Sequence, residues 1–192
     1  MPARNQAALD FLLSRRSRPA KTLSTPVPDR ATLETLLTAA ARTPDHGKLE
    51  PWRFIVLTGP AMARLAALIP ARGAALGIEP EKIVKAQDQF AKAELAVAVI
   101  SSPKPSGKVP QIEQVYSAGA VCLALVNAAL AAGWGANWLS GWASHDRVFV
   151  TEALGLAHHE AVAGFIHLGS ETSAPPERPR PDLGTITTWV EA

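Results

Sequence analysis

Four short stretches of this 192-residue sequence concentrate the side chains able to do chemistry. The first is SRRSR, residues 14–18, where Arg15, Arg16 and Arg18 surround Ser17 directly after the apolar run AALDFLL. Guanidinium forks grip phosphate through paired hydrogen bonds, and a serine hydroxyl adds a donor. The same cations at a helix C-terminus also offset the negative end of the helix dipole, so the stretch alone leaves both readings open. The second is RTPDHGKLEPW, residues 42–52, which crowds Arg42, Asp45, His46, Lys48 and Glu50 between prolines. Loops held by a rigid scaffold often carry function, and Arg42 and His46 can donate to ring carbonyls or a hydroxylated chain. Its alternative is a solvated charged loop. The third is GWGANWLSGW, residues 133–142, in which Trp134, Trp138 and Trp142 recur every four residues among glycines. Glycine lets backbone approach a flat ligand, and the indoles can either wall a planar ring or join the core. The fourth is ERPRPD, residues 177–182, whose Arg178 and Arg180 either reach a phosphate or make surface contacts, the latter being favoured.

Other chemistries lack their residues. The sequence has no P-loop and no GxGxxG after a strand pattern. His158 and His159 are adjacent, which is not metal-ligand spacing on one helix face, and no HExxH occurs. Ser140 has no nucleophile-elbow context, and Cys122 sits in an apolar helix, where core is the expected role. One cysteine excludes an internal disulfide or a cysteine zinc cluster and suits a reducing cytoplasm. Net charge is +2, from 19 Lys and Arg against 17 Asp and Glu, too little for the polybasic footprint of a nucleic-acid binder. The apolar stretch near the N-terminus is too short for a secretory signal.

The elements that must position these stretches are legible from periodicity. Residues 5–14 read as a short amphipathic helix, and Asp29 can cap a second whose apolar positions are Leu33, Leu36, Leu37 and Ala40. Residues 22–30 read as a loop. Strands are expected at 53–59, 95–100, 134–141 and 161–169, with helices over 60–76 and 80–93. Ser144 is the expected N-cap of a helix that stops at Gly155. From Gln114 to Ser144 no residue is charged. Asn127 and the Gly133–Gly135 break argue for a buried helix and strand rather than a membrane span, either in the core of a monomer or at a dimer interface. Prolines 175, 176, 179 and 181 keep the last stretch extended, and its apolar tip of Ile186, Trp189 and Val190 is expected to dock on its own subunit or a neighbour. Length and the lack of a linker point to one domain over residues 1–192, with an extended segment from about 172.

Taken in order, LLSRRSRPAK, ARTPDHGKLEPWRFIVLTG, KVPQIEQVYSAGAVCLALVNAALAAGWGANWLSG and VAGFIHLGS resemble the flavin-dependent nitroreductase family, over nearly the whole chain. The resemblance is nearest to a small subgroup whose loop reads Pro-Asp-His; His46 and Glu50 stand near positions where the more usual loop has Asn and Gln. It implies an α+β fold, with a central, mostly antiparallel sheet flanked by helices, in an intertwined homodimer with FMN at the interface. It implies that Arg15, Arg16 and Ser17 grip the FMN phosphate and ribityl chain, that Arg42 and His46 approach the flavin, and that Trp138, Leu139, Ser140 and Gly141 lie against its ring. The implied reaction passes a hydride from NADH or NADPH through flavin N5 to nitroaromatic, quinone or similar acceptors, by a ping-pong scheme that needs no metal and no protein nucleophile. Another flavin redox reaction on the same scaffold, or flavin binding without turnover, is the alternative.

Overall fold

The computed structural model describes residues 3–191 and is organised around one strand with no exposed face. Strand β3 (Leu95–Ser101) is buried at every position. Its side chains alternate between two cores, as the period of two dictates. Ala96, Ala98 and Ile100 enter one core; Leu95, Val97 and Val99 enter the other. Strands β2 (Trp52–Thr58) and β5 (Ala161–Glu171) pair with it on either side. Strand β5 also carries β4 (Gly135–Leu139) and the two-residue β1 (Leu23–Ser24). All these pairings are antiparallel, giving the expected α+β sheet.

Helices cover both faces. On one side, α3 (Gly59–Ala75), α4 (Pro80–Ala91) and α7 (Arg147–Leu154) deliver Met62, Leu65, Ile69, Phe90 and Phe149. Phe90 meets Phe165 of β5 edge to face, with ring centroids 5.2 Å apart. On the other side, α2 (Arg30–Ala40) and α5 (Gln111–Ala131) deliver Leu33, Leu36, Val121 and Leu125. Asp29 caps α2 as expected, its carboxylate accepting from the Thr32 N–H at 2.8 Å. Helix α5 is long and apolar enough to cross a membrane, but it buries Ala118, Val121, Cys122, Leu125, Val126 and Ala129 in the core. Burial pushes the Cys122 thiol up to about 12, leaving it unionised and unreactive at neutral pH.

Three expectations are corrected. The loop over 22–30 contains β1, which pairs with Ser170 and Glu171 at the end of β5; two residues are too few to leave a periodic signal. Ser144 does not cap the helix that stops at Gly155. It lies inside a single turn, α6 (Trp142–His145), and accepts from the Gly141 N–H, while Asp146 caps α7 by accepting from the Phe149 N–H at 2.8 Å. Arg72 fixes that choice, because it grips Asp146 with two hydrogen bonds of 2.6 and 2.8 Å. The C-terminal stretch is not extended throughout: α8 (Leu183–Ile186) forms just beyond the last proline. Helix α1 (Gln6–Ser14) forms where expected but has no fully buried residue; Phe11 is half-buried. The tip also stays exposed, with Trp189 at 83% and Val190 at 86%, so it does not dock on its own subunit.

Two groups give the fold an acid dependence. Burial drives the neutral His167 ring down from 6.5 to about 4. The unfolded chain therefore takes up this proton first, and stability falls as pH drops from about 6.5 to about 4. Glu160 is opposite in kind: the bidentate Arg53 fork at 2.7 and 2.8 Å holds its carboxyl down from 4.5 to about 2. Its stabilisation is complete above about 4.5 and is lost as pH falls toward 2. Urea unfolding across this range should show both declines. His167→Gln should flatten the first and Glu160→Gln the second.

Candidate functional site

The first functional group is built where the chain leaves α1. Arg15 abandons helical geometry (φ −56°, ψ 143°) after its N–H closes on the Phe11 carbonyl at 2.7 Å. The next residues dock on β4: the Arg18 N–H donates to the Ala136 carbonyl at 2.8 Å, and the Asn137 side-chain amide donates to the Arg18 carbonyl at 2.7 Å. Gly135 makes room for Leu23 of β1 beside this junction, since a Cβ there would lie 2.4 Å from the leucine side chain. Arg18 turns away to Glu171 at 3.3 Å. Arg15 donates to the Ser17 hydroxyl at 3.1 Å.

The remaining donors have no acceptor. Arg15 Nε, Arg16 Nε and Arg16 Nη1 are buried without a hydrogen-bond partner among the described residues. Burial, and then the like charges of Arg180 and Arg18, hold the Arg15 guanidinium below its ordinary value. Arg180 thus comes near the cluster from the C-terminal segment, tethered to Glu177 at 2.9 Å. An orphaned buried donor costs about 1–3 kcal/mol, and like charges repel. Donors of this kind are suited to an anion bearing several acceptor oxygens.

The second group is the 42–52 loop. Gly47, Lys48 and Glu50 all adopt positive φ (76°, 53° and 48°), a conformation that costs energy in the two non-glycine residues. The loop is pinned from behind. The Ser117 hydroxyl of α5 donates to the Pro44 carbonyl at 3.0 Å, and the Trp52 indole N–H donates to Ser117 Oγ at 3.2 Å. The Leu49 N–H donates to Asp45 at 2.6 Å. His46 Nδ1 sits 2.6 Å from Glu113 Oε2. Arg42 is exposed, and its side chain makes no hydrogen bond or ion pair among the described residues.

The third group is β4 and its exit. Of the three spaced tryptophans, Trp134 and Trp142 pack against the two cores, which corrects the idea of a triple indole wall. Trp138 alone is exposed, at 40%. Its ring lies on Gly164, next to an irregularity in the β3–β5 register, and its N–H donates to the Ala163 carbonyl at 3.3 Å. Leu139 is half-buried, and Ser140 and Gly141 are exposed in the turn that follows.

Arg15, Arg16 and Ser17 thus share one edge with β4. Arg42 and His46 belong to a separate group over α5, and no hydrogen bond or ion pair among the described residues joins the two. Sequence reasoning missed Asn137, Glu113, Ser117 and Gly164, which position named residues rather than stand out themselves. Glu113 carried a faint signal as the last charge before the uncharged segment.

A Cβ at position 164 would meet Trp138 Nε1 at 2.0 Å. Gly164→Ala should therefore lift the indole from its seat. We expect easier acrylamide quenching of tryptophan fluorescence and a loss of about 1–3 kcal/mol in urea unfolding.

Comparison with known proteins gives a consistent result. The family model described as "Nitroreductase family" matches residues 12–170. An Escherichia coli (strain K12) protein named "Putative NAD(P)H nitroreductase YdjA" is 36% identical over 163 residues, covering 85% of this chain and 87% of its own. A similarly named protein from Haemophilus influenzae is 34% identical over 165 residues, with 85% and 88% covered. The fold matches a nitroreductase-like family protein from Bacillus cereus with a TM-score of 0.78 at 22% identity, over 100% of both chains. It also matches a mutant of the FMN and NADPH-dependent nitroreductase NfnB from Sphigopyxis sp. strain HMH, with a TM-score of 0.76 at 18% identity over 96% and 99% of the two chains. Matched along most of its length by the family model and by relatives above 30% identity, the chain belongs to the nitroreductase family.

Proposed function

We propose that this protein is an FMN-dependent oxidoreductase that takes a hydride from NADH or NADPH and passes it, in a second half-reaction, to nitroaromatic, quinone or similar acceptors. The observation that carries the reading is the unfilled donor set of Arg15 and Arg16, half-buried beside Ser17 and drawn together against like charges. A phosphate dianion fits that set, since it offers acceptor oxygens to fork-shaped donors and offsets their repulsion. The names of the relatives, an NAD(P)H nitroreductase and an FMN and NADPH-dependent nitroreductase, agree with it.

In this reading Arg15, Arg16 and Ser17 hold the phosphate end. Trp138, Leu139, Ser140 and Gly141 run on from that end along one strand and its turn, and lie against the ring. Arg42 and His46 approach the ring from the loop. The bound flavin supplies the hydride transfer itself, so the protein's work is to orient, exclude water and tune charge.

The same reading makes the molecule a cytoplasmic homodimer of one-domain chains, whose segments from about residue 172 reach across to the partner. Its support is the apolar surface left uncovered: Leu12 and Leu13 of α1, Tyr116 and Leu123 of α5, and Ile186, Trp189 and Val190 of the tail. So much exposed hydrophobic surface is unusual for a monomer. A dimer also explains two separate groups of site residues, if each flavin is met by the arginine group of one subunit and the loop of the other.

The test is the visible spectrum of the purified protein. A yellow protein that bleaches on anaerobic addition of NADH or NADPH supports an oxidoreductase; a yellow protein inert to both is a flavin binder without turnover. Arg15→Ala should weaken FMN retention by at least about tenfold, the worth of a charge-assisted hydrogen bond, with little change in the unfolding midpoint. Full flavin occupancy in both Arg15→Ala and Ser17→Ala would remove the phosphate assignment.

A further inference from the structure

Resting on the oxidoreductase reading above, we propose that His46, oriented by Glu113, gives the acceptor the proton that accompanies hydride transfer. Two-electron reduction of a quinone to a hydroquinone needs one hydride and one proton. A proton donor earns its place when it is fixed within reach of the acceptor. His46 has one contact that fixes it, although its side chain is more than half exposed. Glu113 Oε2, 2.6 Å away, takes the Nδ1–H, so Nε2 is the ring nitrogen free to release a proton. Two residues earlier the loop backbone is anchored, where Ser117 holds the Pro44 carbonyl and Trp52 holds Ser117. The positive-φ residues at 48 and 50 are the cost of that path. A solvated charged loop has no need of such backbone.

The acceptor also has somewhere to sit. Beside His46, at the α5 face that the dimer reading sets near a second copy, lies an open hollow of about 390 Å³, lined by Pro44, Glu113, Tyr116, Ser117 and Ala120. That volume is in the range of small-ligand sites. The step balances as follows. A reduced flavin, when bound, would supply the hydride to one quinone oxygen. The other takes the Nε2 proton of the His46 imidazolium, and the N–H electron pair stays on the ring. The neutral ring keeps its Nδ1–H on Glu113 and regains the other proton from water.

Ferricyanide accepts electrons without a proton, so it separates proton delivery from everything else. Flavin-loaded protein, reduced anaerobically with NADH or NADPH, is mixed with 1,4-benzoquinone or with ferricyanide in a stopped-flow instrument. In His46→Asn, which keeps a hydrogen-bond donor but no transferable proton, the ratio of quinone to ferricyanide reoxidation rates should fall roughly 100-fold. His158→Asn, an exposed histidine outside the hollow, should keep the wild-type ratio. In flavin-free protein, ¹⁵N NMR of the His46 ring should show a protonated Nδ1 that Glu113→Ala releases. An unchanged ratio in His46→Asn, an equal fall in His158→Asn, or an Nδ1 signal indifferent to Glu113 each overturns the proposal. Failure of the wild-type protein to bleach with either nucleotide overturns the oxidoreductase reading and this step with it. Normal bleaching with an unchanged ratio overturns only the proton assignment.

Discussion

The site depends on one attachment: the segment after α1 is tied to β4 at Arg18. Two hydrogen bonds make it, one from the Arg18 N–H to Ala136 and one from Asn137 to the Arg18 carbonyl. They do little for the core, since α1 has no fully buried residue. Their effect is to choose where Arg15 and Arg16 sit. The strand they use is in turn held in register by β5, which pairs with β4 from Gly135↔Gly169 to Leu139↔Phe165. So the deepest element of the sheet, through β5 and β4, sets the place of two half-buried, unpaired guanidinium groups.

Charge follows the same logic. A net charge of +2 says nothing about local fields. Around Arg15 the fold collects Arg16, Arg18 and Arg180, while the acidic residues nearby are spent on two of them: Glu171 on Arg18 and Glu177 on Arg180. Arg15 has only a neutral serine. By contrast, the cations that serve stability are matched. Arg53 grips Glu160 and Arg72 grips Asp146, each with two hydrogen bonds. The contrast between satisfied and unsatisfied arginines separates architecture from function more clearly than their positions in the sequence do.

Much of the fold was legible because its signals are local. The unbroken run LAVAVI reads as a strand buried on both faces, and Asp29 and Gly155 mark helix ends by their own chemistry. What was not legible is what depends on distant partners. Ser144 and Asp146 are both good caps, and only Arg72, more than seventy residues earlier in the chain, decides for Asp146. The three tryptophans look equivalent at a spacing of four, yet β4 ends after Leu139 and sends Trp134 and Trp142 into opposite cores. The basic and histidine stretches could be found by residue type. Their supports, Asn137, Ser117 and Glu113, could not, because an amide, a hydroxyl and a carboxylate become functional only through what they touch.

The strain in the 42–52 loop bears on how the two groups relate. Positive φ at Lys48 and Glu50 costs energy, and the hydrogen bonds from Ser117 and to Asp45 offset it. A fold keeps such a loop when its shape is used. Within one chain the loop presents His46 outward from α5, on the side where Tyr116 is also exposed. The arginine group presents its donors elsewhere, at the start of β4. In the proposed homodimer, a ligand that used both groups would take one from each copy, and the exposed Tyr116 and Leu123 of α5 offer apolar surface for that association. On that proposal the exposed apolar side chains of α5 and the strained loop would serve one end, a site completed by association.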